Sequence, residues 1–155
     1  MNPEFMKEAI RLSREMMLQR KGGPFGAVIV KGNKVVGRGW NTVTSDNDPT
    51  AHAEINAIRD ACRRLNTFNL SGCEIYASCE PCPMCLSAIY WAHLDKVFYA
   101  CTREDAFKIG FDDSKLYDEI MLSPQLRALP MTQLMRDEAL VAFQEWQNLP
   151  DKIPY

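Results

Sequence analysis

Two short segments rich in metal-ligating residues constrain this chain more than any other feature of its sequence. His52-Ala53-Glu54 stands at the start of one predicted helix, and Pro81-Cys82-Pro83-Met84-Cys85 stands at the start of another. Cysteines three residues apart share one face of a helix, so both thiolates can bind one ion. If the histidine binds the same ion, the starts of two helices must meet. This requirement limits the folds that are open to the chain.

The residue types in these segments are those of a catalytic zinc site. His52, Cys82 and Cys85 supply three protein ligands, which leaves the fourth tetrahedral position of Zn²⁺ open to water. Glu54 is then not a ligand. Two thiolates weaken zinc as a Lewis acid, so a nearby carboxylate is needed to take the proton of the water. We therefore predict one Zn²⁺ per chain, with Glu54 as the catalytic acid and base.

Other cysteine sites fit part of this pattern. Cys79, Cys82 and Cys85 together read C-x-x-C-x-x-C, which also occurs in iron–sulfur sites. A closed structural zinc site with three cysteines and one histidine is a second alternative, and a dithiol redox centre is a third. None of these uses Glu54. The combination of H-x-E with P-C-x-x-C is instead the signature of zinc-dependent nucleobase deaminases.

The rest of the sequence predicts an α/β fold. Apolar residues recur at helical spacing in some segments and form short β-rich runs in others. The predicted helices are 3–19, 51–65, 83–92 and 138–148, with helical turns at 103–108 and 114–121, and the predicted strands are 27–30, 35–40, 74–78, 97–100 and 131–135. This order indicates a three-layer α/β/α sandwich around a mixed sheet of about five strands. We expect a single domain over residues 1–155, with 149–155 as a C-terminal tail.

Charge and composition disfavour several kinds of partner. The formal net charge is −2, whereas a nucleic-acid-binding protein usually has a basic face. Charged residues interrupt the first twenty positions, and the apolar run 81–94 is too short to cross a bilayer. Six cysteines are too few for a disulfide scaffold of this length. We expect a cytoplasmic protein that binds neither nucleic acid nor membrane.

Further motifs accompany the zinc ligands along most of the chain. They are Gly22-Gly23-Pro24-Phe25-Gly26, the segments 47–54 and 78–85, Ala88-Ile89-Tyr90-Trp91-Ala92, Gly110-Phe111-Asp112-Asp113-Ser114 and the terminal Tyr155. With these motifs the chain resembles the cytidine deaminase-like superfamily and, within it, the bacterial guanine deaminases. The resemblance implies a hydrolase that acts on a cyclic amidine C–N bond and converts guanine to xanthine and ammonia in purine catabolism or salvage. It also implies a homodimer.

The resemblance implies roles for four residues outside the zinc motifs. It makes Asn41 a hydrogen-bonding reader of the purine edge and Phe25 an aromatic neighbour of the ring. It makes Asp113 an active-site carboxylate near the departing amine. Tyr155 becomes part of a tail that closes the pocket of its own subunit or of the partner subunit. By themselves, these residues equally suit a turn, the core, a helix cap and a frayed terminus.

Two other functions stay open at this point. A deaminase of another base or nucleoside, including cytosine or tRNA adenosine, would carry the same zinc motifs. Binding of tRNA needs clustered basic residues, but residues 126–155 contain three basic and four acidic side chains. A non-catalytic zinc-binding or redox module would have no use for Glu54.

Overall fold

Among residues 2–155, which the computed structural model describes, four strands form one mixed sheet. The strands are β1 (Gly26–Lys31), β2 (Lys34–Trp40), β3 (Cys73–Cys79) and β4 (Lys96–Cys101), in the spatial order β2-β1-β3-β4. β1 pairs antiparallel with β2 and with β3, and β3 pairs parallel with β4. The prediction of a mixed sheet is confirmed, with four strands instead of about five.

The fifth predicted strand, residues 131–135, is wrong for the described part of the chain. These residues have no strand partner there. An extended segment becomes a strand only when the backbone of a neighbour accepts and donates its hydrogen bonds. The sequence pattern of a segment does not show whether such a neighbour is present.

Helices cover both faces of the sheet. Successive residues of a strand point to opposite faces, so Val28 and Val30 pack under α1 (Pro3–Leu18), while Ala27 and Ile29 pack under α3 (Ala53–Leu65). α4 (Pro83–Trp91) contacts α3, and its Ile89 belongs to the same core. The predicted three-layer α/β/α sandwich is therefore confirmed. No helix in residues 2–155 is both long enough and apolar enough to cross a membrane.

Most of the smaller elements also agree with the sequence. The predicted turns at 103–108 and 114–121 are α5 (Arg103–Lys108) and α6 (Ser114–Met121). One short helix was not predicted, α2 (Val43–Asp46), in a stretch that reads as a polar loop.

Two glycines of β2 allow α3 to lie close to the sheet. A Cβ atom at Gly39 would be 2.1 Å from the carbonyl oxygen of Ala53, and one at Gly37 would be 2.6 Å from that of Ala57. Ala53 and Ala57 are themselves fully buried. Small residues on both sides of this contact hold the first turn of α3 in a fixed place against the strand.

The described residues fall into two compact units, one ending at Asp113 and the other covering Ser114–Tyr155. The sheet and the helices that cover it belong to the first. The second contains α6, a 3₁₀ turn (Pro124–Leu126) and α7 (Arg136–Asn148), and none of its residues is buried. The expectation of a single domain over residues 1–155 stays a prediction.

Replacing Gly39 with alanine should destabilise the fold because the new methyl group would overlap the carbonyl oxygen of Ala53. Overpacking of this kind lowers the free energy of unfolding by about 1 to 3 kcal/mol, which urea denaturation measures. Gly32→Asn is the control, because a Cβ atom at Gly32 meets nothing within 4 Å and asparagine tolerates its φ of +52°. Equal stability of the two variants would contradict the close contact between β2 and α3.

Candidate metal centre and active site

Three metal-ligating side chains meet at the starts of α3 and α4. His52 is the N-cap residue of α3, Cys82 is the N-cap residue of α4, and Cys85 lies in the first turn of α4. Nδ1 of His52 is 3.6 Å from Sγ of Cys82 and 3.5 Å from Sγ of Cys85. Tetrahedral zinc, with Zn–S near 2.3 Å and Zn–N near 2.0 to 2.1 Å, separates such atoms by about 3.6 Å. The three side chains therefore fit a zinc ion.

Both helix starts leave the ligand side chains available for a metal. The backbone of His52 and that of Cys82 are extended, and neither side chain forms a capping hydrogen bond with its own helix. Pro83 occupies the first position of α4, where proline is favoured. The exposed N–H groups of a helix N-terminus stabilise an ionised sulfur nearby. Local sequence thus creates two helix starts that favour binding of a cation by thiolates.

Without a metal, the two cysteine thiols share their protons unequally. Hydrogen bonds, first from Cys85 and then from His52, lower the pKa of Cys82 to about 4. The same hydrogen bond with Cys82, together with burial, raises the pKa of Cys85. Hydrogen bonding to Cys82 raises the pKa of His52. Cys82 is therefore the thiol that ionises more readily, and binding of a divalent cation would require both cysteines as thiolates and the histidine as a neutral imidazole.

Glu54 lies beside the ligands without being one of them. Glu54 is 7% exposed and lies in the first turn of α3. Burial raises the pKa of the Glu54 carboxyl above its usual value, and the charge of Cys82 adds to the rise. A carboxyl group with a raised pKa is suited both to accept and to return a proton.

Cys79 does not join the metal ligands. Within residues 2–155, the metal-ligating group at this site consists of His52, Cys82 and Cys85. Sγ of Cys79 is 3.5 Å from the carbonyl oxygen of Thr102, and burial raises the pKa of Cys79 to about 11. Cys79 is thus a protonated thiol that donates to the backbone. This arrangement does not support the closed site of three cysteines and one histidine.

Asn41 directly follows β2, and its side-chain oxygen accepts hydrogen bonds whereas its side-chain nitrogen is available. The residue is buried, and its Oδ1 accepts hydrogen bonds from the backbone N–H groups of Gly23 at 3.1 Å and Val43 at 3.3 Å. These two donors define which amide atom is the oxygen. Nδ2 then remains as a donor without a hydrogen-bond partner in the described chain. A Cβ atom at Gly22 would lie 2.5 Å from Oδ1, so glycine is needed for this turn to close.

Phe25 and Asp113 lie on two segments that an aromatic contact joins. The rings of Phe25 and Phe111 form an edge-to-face pair with centroids 4.9 Å apart. Asp113 follows Phe111 by two residues, and its pKa is raised by partial burial and then by the charge of Cys82. The acidity of the Asp113 carboxyl group thus depends on the charge of one of the metal ligands.

Two residues near these groups were missed by the sequence analysis. Phe111 was named only as part of a motif, although a phenylalanine between Gly110 and Asp112, in a polar stretch, itself indicates an aromatic contact. Asn56 was given no role. Tyr155, by contrast, was predicted as a substrate contact; it lies in the unit Ser114–Tyr155 and is 76% exposed. Its role and the roles of Asn41, Phe25 and Asp113 stay predictions.

Comparison with known proteins identifies the family. Residues 1–101 match the cytidine and deoxycytidylate deaminase zinc-binding region, and the chain belongs to this family of zinc-binding deaminases. Zinc, the cofactor predicted from His52, Cys82 and Cys85, is the metal that the matched family region binds.

The chain is also similar to individual relatives of known structure or activity. It is 50% identical over 156 residues to guanine deaminase of Bacillus subtilis (strain 168), covering 100% of both chains. The crystal structure of guanine deaminase from Bacillus subtilis matches with a TM-score of 0.96 over 100% of this chain and 99% of that one. Guanine deaminase from Nitrosomonas europaea matches with 28% identity and a TM-score of 0.67 over 94% and 84%. The predicted resemblance to bacterial guanine deaminases is confirmed.

A second activity occurs among the partial matches. The tRNA-specific adenosine deaminase of Aquifex aeolicus (strain VF5) is 43% identical over 96 residues, which are 62% of this chain and 63% of that protein. This match is limited to part of the chain, whereas the Bacillus subtilis relative covers all of it.

Elemental analysis of the purified protein should find one zinc ion per chain. Cys82→Ser should lose the metal because zinc keeps only two of its protein ligands. Cys79→Ser is the matched control, which should retain zinc because the Cys79 thiol contacts only the Thr102 carbonyl oxygen among its hydrogen-bond partners. Iron in place of zinc, or equal loss of metal from both variants, would contradict the three-ligand site.

Proposed function

We propose that this protein catalyses the hydrolytic deamination of guanine to xanthine and ammonia. The observation that carries the proposal is the 50% identity to a guanine deaminase over the full chain. That likeness continues past residue 101, where the match to the zinc-binding region ends. Residues beyond the shared zinc motifs therefore also resemble those of a guanine deaminase, as expected if they contribute to the choice of substrate.

The buried carboxyl group of Glu54 is the proton carrier in this proposal. His52, Cys82 and Cys85 would hold the zinc ion, which would lower the pKa of a water molecule and so supply a nucleophile at neutral pH. Glu54 accepts the proton of the water as it attacks the carbon that bears the amine. Glu54 passes this proton to the adjacent ring nitrogen. It then takes the proton of the newly added hydroxyl group and passes it to the amine, so that the C–N bond breaks, ammonia leaves and the carbonyl group of xanthine forms. Its burial supports this role, since a raised pKa eases the return of the proton.

The remaining predicted residues supply contacts to the base. Nδ2 of Asn41 is a donor, and the oxygen and unprotonated ring nitrogens of guanine are acceptors. The edge-to-face pair of Phe25 and Phe111 offers an apolar surface to a planar ring. Asp113, with a raised pKa, is suited to donate a proton to the departing amine.

Ammonia release from a panel of amino-substituted rings tests the proposed activity. The panel contains guanine, adenine, cytosine, aminotriazines, nucleosides and tRNA, and xanthine formation identifies the product. The proposal expects the highest kcat/KM with guanine. A preference for tRNA or for cytosine would replace the proposed substrate while keeping the zinc chemistry, whereas no ammonia from any of them would indicate a non-catalytic zinc module.

Glu54→Gln should keep the zinc and the fold but lose activity. The amide has nearly the shape of the carboxyl group and cannot carry the proton, so kcat should fall by about 10² to 10⁴. Zinc content and thermal unfolding serve as controls on the same preparation. If Glu54→Gln deaminates guanine at nearly the wild-type rate, Glu54 is not the proton carrier.

We also propose that the protein is a homodimer in which the C-terminal segment of each chain packs on the partner subunit. The unit Ser114–Tyr155 contains no buried residue, although it carries many large apolar side chains. The most exposed are Met121, Leu129, Leu134, Phe143 and Tyr155. Apolar surface of this extent usually marks a protein interface. In the dimer, residues 1–155 form one deaminase domain whose tail closes an active site.

A cytoplasmic location is part of the same proposal. All six cysteines are free thiols, and two of them are zinc ligands in the proposed enzyme. Thiols persist in reducing compartments, where cysteine pairs serve metal binding more often than disulfides.

Deleting residues 151–155 should leave zinc content and folding intact while lowering kcat/KM for guanine by more than about tenfold. A tenfold loss corresponds to about 1.4 kcal/mol of transition-state stabilisation, a modest contribution for a group that excludes water from a site. Tyr155→Phe should have a smaller effect in the same direction. Steady-state kinetics on monodisperse protein measure both, and an unchanged kcat/KM after the deletion would make the tail an ordinary loose terminus.

A further inference from the structure

The side chain of Asn56 forms hydrogen bonds with two separate loops. Asn56 lies in α3, one turn after His52, and its backbone N–H donates to the His52 carbonyl oxygen at 3.0 Å. Its Nδ2 is 2.8 Å from the carbonyl oxygen of Trp40, 3.0 Å from Oγ1 of Thr42 and 3.3 Å from the carbonyl oxygen of Ala51. An amide nitrogen carries two hydrogens, so one of them is shared between two of these acceptors.

The three acceptors flank two residues of the proposed active site. Trp40 precedes Asn41 and Thr42 follows it, while Ala51 precedes His52. The backbone N–H of Thr42 also donates to the Ala51 carbonyl oxygen at 3.0 Å, which joins the two loops directly. One partly buried amide therefore connects the loop of the substrate reader to the loop of a metal ligand.

We propose that Asn56 is a positioning residue that sets the placement of Asn41 relative to the metal ligand His52. The inference rests on the proposed function, in which Asn41 holds the base while its amine-bearing carbon reacts at the metal. A displacement of about 1 Å between such groups can lower a rate about 10²-fold. Asparagine suits the position because a short side chain with two N–H donors reaches three oxygen acceptors, whereas an aspartate would present only oxygens to them.

Kinetics of Asn56→Ala test this placement. The variant should keep one zinc per chain, because none of the ligand atoms belongs to Asn56. Its kcat/KM for guanine should fall about 10- to 100-fold, with a raised KM, because Asn41 no longer holds the base in register with the metal.

A double-mutant cycle separates positioning from a general loss of stability. Asn41→Ala removes the group through which Asn56 is proposed to act. In that background, Asn56→Ala should reduce kcat/KM by less than about threefold, since the two substitutions interrupt one interaction with the substrate. Two independent effects would instead multiply.

Asp60→Ala is the matched control. Asp60 lies one turn further along α3 and also bonds the helix to β2, since its Oδ2 accepts the backbone N–H of Arg38 at 3.0 Å. Its Oδ2 also accepts from Nε of Arg64 at 2.8 Å, so its hydrogen bonds go to β2 and to its own helix. The variant should unfold at a lower urea concentration than the wild type and retain its KM for guanine.

Thr42→Val gives a second route if Asn56→Ala does not fold. It removes one acceptor of the amide and leaves the helix unchanged, so it should show a smaller loss of kcat/KM with the same dependence on Asn41. The inference is overturned if the loss of kcat/KM caused by either variant multiplies with the loss caused by Asn41→Ala, or if the variant leaves KM unchanged. If the wild-type protein releases no ammonia from guanine, the proposed function is wrong. That result is obtained without the variants, so the two failures can be told apart.

Discussion

The close contact between the glycines of β2 and the alanines of α3 determines where the metal centre forms. Larger side chains on either surface would push the helix away from the strand, because a Cβ atom at Gly37 or Gly39 would already overlap the backbone of α3. His52 is the N-cap residue of that helix and Glu54 lies in its first turn, so the packing of the helix backbone fixes the position of both residues. Cys82 and Cys85 reach the same point from α4, which follows β3 at the centre of the sheet. The chemistry of the site thus depends on small residues that take no part in it.

The surroundings of three acidic groups, those of Cys82, Glu54 and Cys79, shift their pKa values in different ways. Hydrogen bonds with Cys85 and His52 lower the pKa of Cys82 to about 4, so this thiol ionises more readily than an ordinary cysteine. Burial keeps the pKa of Glu54 raised, which suits proton transfer better than a permanently ionised carboxylate would. Cys79, raised to about 11, stays a neutral donor to the backbone. Two cysteines three residues apart in the sequence therefore differ in acidity, because hydrogen bonds with Cys85 and His52 lower the pKa of Cys82 whereas burial raises that of Cys79.

The sequence predicted the metal ligands and the layers of the fold because each rests on local information. Spacing within a helix turn brings Cys82 and Cys85 together, and the alternation of strand residues assigns Ala27 and Val28 to opposite faces. Nonlocal pairing was less accessible. The segment 131–135 was predicted as a strand but has no described neighbour, and Asn56 looks like any polar helix residue until the loops beside it are placed. Roles that depend on substrate, such as those of Asn41 and Tyr155, required the resemblance to a family.

The ligands come from two helix starts that are far apart in the chain, and this separation gives the metal a mechanical role. An ion bound by His52, Cys82 and Cys85 acts as a cross-link between α3 and α4, comparable to a disulfide in its effect on the unfolded chain. The unfolded protein lacks the assembled site, so the free energy of metal binding adds to the free energy of folding. A molecule that loses its ion therefore loses part of its stability together with its chemistry. In a cell short of zinc, such a protein is more exposed to proteolysis than an enzyme whose metal sits on a single helix.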